Sequence, residues 1–557
     1  MSTLRQTGQA AKRFLLHVAL LAGSILFAFP FIWLLSTSAK VPDEMYPLRW
    51  FPQIPGGVTV SPHMAVRANE RAVKPALVSS EDWERVHDPC LKAISAIAVE
   101  LTPSLPEYFA PHLDNEDLAE GIYARLVRRT PDSVFQLSEP EAGRWFAQRV
   151  DLDLVREVFD SVYRRVAVSE VTLHGWDLAV ERPTANGTFN WLVVSGDAEL
   201  SRRDGDGGRP SQEVHYSFEK EKAFELRTEV PLQMDLANLR KVVVANHADR
   251  SWHRIKATIE VGGRRYVSTQ TAFTGTDQWQ DLTWQFASPD DDTIKMKNWL
   301  RLEEAGPSEV SDPKMLRITL RYEYAPHLLA TWYKYTDNYR KVLRVAPILV
   351  YARNSTLLVL LNVIGQVLGS AVAAYAFSRL HWPGRDFCFL LVLATLMIPP
   401  QVTMIPVFLI FKELGWYNTL RPLWIPSFFG SAFYIFLLRQ FMLGIPKDLE
   451  DSAKMDGCGY LGILWNIILP LVKPALATIG VFTFLGVWND FMGPLIYVSD
   501  QRLYPLSLGL FSLQVMNAHA YGGLMAASVL MTLPVIALFF AAQRQFIQGV
   551  TLTGLKG

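Results

Sequence analysis

The stretch Leu449–Pro474, LEDSAKMDGCGYLGILWNIILPLVKP, decides how the rest of the chain is read. It is polar and partly amphipathic, yet it lies between two long apolar segments. Ile445-Pro446-Lys447-Asp448-Leu449 reads as a turn entering a helix, with Asp448 as its N-cap and Asp451 as an acidic residue in the first turn. Gly457 is expected to end or bend that helix, because glycine reaches left-handed conformations at little cost. A second short helix, Tyr460–Ile468, is expected to stop before Pro470. A helix–turn–helix of this size suits a surface groove on a partner; the alternative is an interfacial amphipathic hairpin with no partner.

Working outward, the 557 residues are 50% hydrophobic and carry no formal net charge, an average that conceals two populations. Charges are dense from about Pro42 to Arg344 and sparse in Phe14–Ser36 and after Tyr351. An apolar run of about 20 residues crosses a hydrocarbon core of about 30 Å, and in lipid such a run must be helical to satisfy its own backbone. Six spans are expected, at about Phe14–Ser36, Leu357–Phe377, Phe387–Phe411, Leu423–Leu443, Val472–Ile496 and Leu524–Gln543. The first follows Arg5, Lys12 and Arg13 as a signal peptide would, but it is long and ends without a small-x-small cleavage site, so an uncleaved anchor is expected.

Orientation follows from the basic residues. Arg5, Lys12, Arg13, Arg379, Arg385, Arg439, Lys447, Lys454, Lys473, Arg544 and Lys556 share one side if both termini are cytoplasmic. Lys412, Arg421 and Arg502 fall on the other. The long polar segment after the first span is then extracytoplasmic. Pro399, Pro400, Pro406, Pro426 and Pro534 lie in spans, either as ordinary membrane-helix prolines or as kinks bordering a cavity. Gly365 and Gly369 form a small-xxx-small pair suited to close helix packing.

The chain divides into an N-terminal tail with the first span (1–45), an insertion (46–335) and a five-helix core (336–557) that holds the loop 445–474. Within the insertion, 81–167 reads helical: Tyr123, Leu126 and Val127 make one apolar face, and Leu154, Val155, Val158, Phe159 and Val162 another. The part 168–325 reads as strands (WLVVSGD, KVVVAN, IKATIEVGGRRYVS, LTWQFAS, MLRITLRYEY), with a tight hairpin at Val261-Gly262-Gly263-Arg264. Repeated short strands favour a β-sandwich or jelly roll. The overall expectation is a polytopic all-α membrane protein carrying an inserted extracytoplasmic α plus β-sandwich region.

Chemistry-bearing patterns are sparse. No GxxxxGK[ST] loop occurs, so the chain is not expected to hydrolyse ATP, and its neutral charge gives no sign of nucleic-acid binding. Cys90, Cys388 and Cys458 are too scattered for a disulfide framework or metal site, and a lone Cys90 is compatible with an oxidising compartment. Trp176, Trp191 and Trp279, with Trp252, Trp284 and Trp299, either present aromatic platforms to a glycan or pack strand faces. Asp204-Gly205-Asp206-Gly207-Gly208 lacks EF-hand spacing and reads as a hairpin tip, and His174 and His253 stand without a nucleophile or base beside them. No metal site and no catalytic residue are expected.

Asp451-Ser452-Ala453, Asp456-Gly457, Ile467, Leu469 and Pro470 are spaced as in the EAA loop of ABC-importer permeases. Further matches come in order: Ser38, Lys40 and Glu44; Asn354-Ser355; Ala374-Tyr375-Ala376; Ile398-Pro399; Ile405-Pro406; Leu414-Gly415; Phe436 to Phe441; Phe484-Leu485-Gly486; Trp488-Asn489-Asp490-Phe491; Pro494-Leu495; Gln543-Arg544, Gly549, Gly554 and Lys556-Gly557. Over roughly Phe14–Pro55 and Tyr339–Gly557 the chain resembles the MalG-like permease subunits of carbohydrate ABC importers. It departs from that family in having Asp-Ser-Ala for Glu-Ala-Ala, and in the segment of about 280 residues between Pro55 and Tyr335, where a short loop is usual.

The resemblance implies half of a sugar translocation pathway in a bacterial inner membrane. It implies a MalF-like second permease, two ATPase subunits that bind the ATP and Mg, and an extracytoplasmic solute-binding protein, with no cofactor on this chain. The EAA-like loop would dock an ATPase, Val498–Tyr521 would face the binding protein, and Gln548–Gly557 would approach the ATPase interface. Trp488, Asn489 and Phe491 either line the pathway or pack spans together. The alternative is a membrane-anchored glycan sensor that no longer transports. A tethered extracytoplasmic enzyme is disfavoured by the missing catalytic constellation.

Overall fold

A computed structural model of the chain describes residues 2–45, 50–65, 71–101, 115–175, 180–181, 190–206, 209–232, 234–287, 299–308, 310, 312–516 and 521–553. They form two compact units. Among the described residues, one consists of 2–38 and 338–553, the other of 39–287 and 299–337.

Among the described residues of the first unit, three helices are long and apolar enough to cross a membrane: Leu15–Ser38, Ile348–Arg379 and Tyr521–Gln543. Three more helix pairs meet that measure only if each bent pair counts as one span. These are Arg385–Met397 with Pro400–Glu413, bent by 103°; Arg421–Leu443 with Asp448–Met455, by 80°; and Tyr460–Leu471 with Lys473–Trp488, by 79°. The expected span Phe387–Phe411, with Pro399 and Pro400 inside it, is therefore two helices meeting at a sharp corner. Ile398 and Pro399 each precede a proline, a position pushed out of the helical region, and both are extended (ψ 116° and 131°). The expected span Leu423–Leu443 is α-helical only from Ala432, after tight turns at Arg421–Leu423 and Ile425–Phe429. The span Val472–Ile496 breaks after Trp488 and resumes at Met492.

Gly365 and Gly369 lie where the helix Ile348–Arg379 meets the segment Ser427–Gly430. A methyl at Gly369 would collide with the Phe428 carbonyl oxygen, and one at Gly365 with the Ser427 hydroxyl. The Asn362 amide donates to Leu423 O at 2.9 Å, and the Asn354 amide to Arg502 O at 2.8 Å. Small residues and side-chain amides thus fix this packing, as expected where apolar surface alone is indifferent.

The second unit has a helical part and a sheet. Helices Ser80–Leu101, Asn115–Val127, Glu139–Ala147 and Leu152–Val162 enclose one core. Val86, Cys90, Ile94 and Ala98 recur every fourth residue and are buried together with Tyr123, Val127, Val155, Val158, Phe159 and Val162. Burial pushes the Cys90 thiol up to about 12. The helical part ends earlier than 167, because Tyr163–Arg164 pair with His63–Met64 and Val166–Gly175 is already a strand.

Among the described residues the sheet has 14 strands in one hydrogen-bonded network. Val166–Gly175, Leu239–His247 and Trp279–Phe286 run antiparallel. Leu192–Ser195, Ala223–Pro231, Met315–Glu323, Arg254–Val261, Arg264–Ser268 and Leu300–Pro307 form a second antiparallel run. A short parallel pairing of Trp284–Phe286 with Leu300–Leu302 joins the two runs. Where a β-sandwich or jelly roll is expected, that pairing joins the two runs into one hydrogen-bonded network, and both contribute apolar residues to one core. The hairpin at Gly262-Gly263 has both residues at positive φ (56° and 76°), the geometry of the two-residue turn that matches strand twist.

Candidate functional site

The loop 445–474 has two helices, and its local geometry follows from a few residues. Asp448–Met455 is the first helix. Asp448 is its first residue rather than its N-cap: Lys447 before it is already helical (φ −69°, ψ −27°), so no extended residue is there to turn a side chain back onto the helix. Asp448, Glu450 and Asp451 sit in the first turn, where the helix end favours negative charge. At the other end Gly457 has φ 83°. Its N–H donates to Lys454 O at 3.0 Å, and the Cys458 N–H to Ala453 O at 2.9 Å. This paired closure is the Schellman motif, and it gives the four-residue spacing from Ala453 to Gly457 a physical meaning.

The second helix, Tyr460–Leu471, runs through Pro470 instead of stopping before it. Proline has no N–H to give the carbonyl four residues back. A π-helical turn at Leu464–Ile468, closed by the Leu469 N–H on Leu464 O, widens the helix just ahead of it.

The loop is two-faced. Glu450, Ala453, Ile463, Leu464 and Ile468 are buried, and the four apolar ones share a core with Tyr375, Leu438, Met442 and Val472. Ile467 and Leu469 are half-buried against that core, so they anchor the loop rather than present it. Asp451, Ser452, Asp456, Gly457 and Pro470 are exposed. Ser452 Oγ donates back to Asp448 O at 2.8 Å, and Lys454 reaches Asp451 at 3.1 Å, which raises the lysine's pKa. Beside them Met455, Tyr460, Leu461 and Trp465 are each more than half exposed. A cluster of large apolar side chains rimmed by acids is a surface suited to a protein partner.

Sequence reasoning missed these four outward residues and the pair Arg379–Glu450, both buried, with Nε and Oε1 3.1 Å apart. The three-residue spacing of Glu450 and Ala453 on one helix face was the available signal for the inner anchor.

The other candidate residues do not gather with the loop. Trp488 is buried, stacks on Phe484 at 5.5 Å and donates its indole N–H to Met531 O at 3.1 Å, a packing arrangement. Asn489 is exposed at the helix break, its amide turned back to Leu485 O at 2.9 Å. Phe491 meets Phe511 edge-on at 4.8 Å. Trp191 is 1% exposed and donates to Ser169 O at 3.0 Å, so it cannot offer a ring face to a glycan. Trp252 and Trp284 are buried as well. Trp279 is half-buried with its ring edge-on to His247, and Trp299 lies under Lys241 at 4.6 Å. Trp176, Gly207, Gly208 and the last residues of the tail, 554–557, lie outside the described residues. Among the described residues no group of His, Cys, Asp and Glu is arranged to hold a metal. Glu44 is buried and accepts from Lys334 and from the Gln53 N–H at 2.8 Å.

The family described as "Binding-protein-dependent transport system inner membrane component" matches residues 365–552. The arabinooligosaccharides transport system permease protein AraQ of Halalkalibacterium halodurans is 37% identical over 204 residues, covering 37% of this chain and 73% of that protein. AraQ of Bacillus subtilis is 34% identical over 245 residues, covering 44% and 85%. The trehalose/maltose transport system permease protein MalG of Thermococcus litoralis is 33% identical over 232 residues, covering 40% and 83%. The chain belongs to this family of membrane permease components. Within it, the chain is a permease subunit of the carbohydrate ABC importer type, a transporter component rather than an enzyme.

Proposed function

We propose that this chain forms half of the translocation pathway of an ATP-driven, binding-protein-dependent importer for a sugar or sugar derivative, and that it takes its drive from an ATPase docked on the loop 445–474. The observation that carries this reading is the two-faced loop: Glu450, Ala453, Ile463, Leu464 and Ile468 turn inward, while Met455, Tyr460, Leu461 and Trp465 turn outward. Anchored on one face and apolar on the other, such an element transmits a partner's movement as rigid-body motion.

In this reading each bent pair supplies one span, the first as a whole and the other two through Arg421–Leu443 and Lys473–Trp488, giving six with the three straight helices and leaving Asp448–Met455 and Tyr460–Leu471 to the loop. Both termini are cytoplasmic, which puts the loop on the ATPase side and the insertion outside the cytoplasm. A MalF-like permease completes the pathway, two ATPase subunits bind ATP and Mg, and a solute-binding protein delivers the solute. The insertion adds a surface for that binding protein or for the solute. The glycan-sensor alternative leans on aromatic platforms, and the burial of Trp191 removes one of them.

The test is co-purification of an ATPase with the tagged chain, co-expressed with the products of its neighbouring genes. Leu461→Asp and Trp465→Asp, both outward-facing, are expected to reduce ATPase recovery at least tenfold without loss of the chain itself. ATPase recovery at the native level in both variants would sink the docking reading.

A further inference from the structure

We propose that Arg379 and Glu450 form the joint through which movement of the docking loop reaches the spans, as positioning residues beneath the docking surface. This rests on the docking reading above. Arg379 is the last residue of the helix Ile348–Arg379 and is buried. Its guanidinium reaches two other elements at once. Nη2 donates to Met442 O and, at 2.7 Å, to Ile445 O, carbonyls at and just beyond the C-terminal end of Ala432–Leu443. Nε lies 3.1 Å from Glu450 Oε1, in the first turn of Asp448–Met455.

Each half of this arrangement has a physical cause. The last carbonyls of a helix lack intrahelical donors and favour a cation. A buried carboxylate requires a paired charge. One guanidinium meets both needs, since Nη2 donates to the two carbonyls while its delocalised charge lies against the carboxylate, an arrangement a lysine ammonium does not reproduce. Arg379 and Glu450 are themselves buried, so water has little access to loosen the pair.

The neighbouring acid gives the contrast. Asp451 stands at the family's motif position, yet it is exposed and paired with exposed Lys454. Asp451 belongs to the outer surface, whereas Glu450, one residue earlier, holds the helix to the body. Movement of Asp448–Met455 therefore carries the end of Ile348–Arg379 with it. That long helix is tied further along to other segments by Asn362 on Leu423 O and by Gly369 against Phe428. The chain of contacts is continuous from the loop into the spans.

The test uses the full complex with its ATPases in lipid, and ATP as the probe. Nitroxide labels go on exposed positions of two span helices, Val372→Cys and Phe540→Cys, in a chain whose native cysteines are replaced by serine. Two variants separate positioning from folding. Glu450→Gln keeps the shape of the side chain, and the double variant Arg379→Leu with Glu450→Leu removes both charges together and leaves neither unpaired. We expect both to retain the ATPase at the native level while the ATP-dependent change in label distance disappears. A native distance change in both variants would overturn the joint and leave the docking reading intact. Loss of the ATPase together with the distance change in both would also overturn it, because the pair would then serve only to build the docking surface. Failure of the unsubstituted chain to hold any ATPase would remove the docking reading, and this inference with it.

Discussion

In the insertion, the strand Arg254–Val261 buries Ile255, Ala257, Ile259 and Val261 and turns the residues between them outward. In the membrane unit, the helix Leu15–Ser38 leaves Leu21, Leu26 and Phe27 exposed at 62%, 73% and 81%. Water drives the first set inward. Lipid accepts the second, since an acyl chain is as good a neighbour as another leucine. Hydrophobicity therefore chooses contacts in one unit and only marks out spans in the other. Contacts in the membrane unit are chosen by what hydrophobicity does not supply: absent side chains at Gly365 and Gly369, and amides at Asn354 and Asn362.

If that contrast holds, the two units should fail under opposite substitutions. In the insertion the largest effect is expected from removing apolar volume. Trp284 is fully buried in the sheet core, and Trp284→Ala should cost about 3–5 kcal/mol, read as earlier proteolysis of the insertion during a denaturant titration. In the membrane unit the next largest effect should come from adding volume. Gly369→Ala places a methyl against the Phe428 carbonyl, and should cost about 2–3 kcal/mol, read as a lower melting temperature in detergent. Leu26→Ala, on the exposed face of the first helix, should change that temperature little. A large effect there would break the comparison.

Much of this was legible in the sequence, and the legible parts share a cause: they depend on local chemistry. Gly262-Gly263 announced its turn because two adjacent residues at positive φ call for glycine. Gly457 announced a helix end for the same reason. The alternation in Arg254–Val261 and the apolar face of Val155, Val158, Phe159 and Val162 mark buried faces directly. What was not legible depends on partners distant in sequence. The parallel pairing of Trp284–Phe286 with Leu300–Leu302 joins the two antiparallel runs into one network. Trp191 reads as a possible platform until Ser169 and the sheet core are seen to enclose it. Arg379 reads as one more cytoplasmic positive charge until Glu450 is found beside it. The corner at Ile398-Pro399-Pro400 is intermediate, since successive pre-proline positions signal a break but not an angle of 103°.

A smaller effect tests whether the loop obeys local rules like those of the insertion. No atom lies within 4 Å of a Cβ built on Gly457, so an alanine there meets no steric obstacle and acts only through its positive φ. Gly457→Ala should destabilise the loop by about 1–2 kcal/mol. Gly457→Asn should recover part of that, because asparagine tolerates the left-handed region better. Amide exchange at Cys458, whose N–H closes the motif on Ala453 O, is the direct readout. Equal protection in glycine, asparagine and alanine forms would mean that packing, and not backbone conformation, sets the turn.

The smallest expected effect is a dependence on pH confined to the insertion. His253 is buried; its Nδ1 accepts from the Ala325 N–H at 3.1 Å and its Nε2 donates to Val58 O at 3.0 Å. That pairing fixes the neutral ring with its proton on Nε2. Burial holds the pKa below the ordinary histidine value, against the opposing pull of Asp249. His63 is lowered by burial in the same way. The unfolded chain therefore takes up protons as pH falls through about 6.5 while the folded insertion does not, so stability present above that pH is lost below it. Each histidine contributes at most about 1.4 kcal/mol per pH unit until its folded pKa is reached. Denaturant titration of the full chain in detergent at pH 7.5 and 5.5, followed by proteolysis of the insertion, should show an earlier transition at the lower pH. His253→Gln, which keeps an amide donor and acceptor but cannot titrate, should shrink that shift. An unchanged shift would mean that His253 takes up its proton in the folded state, with the Ala325 contact given up at little cost.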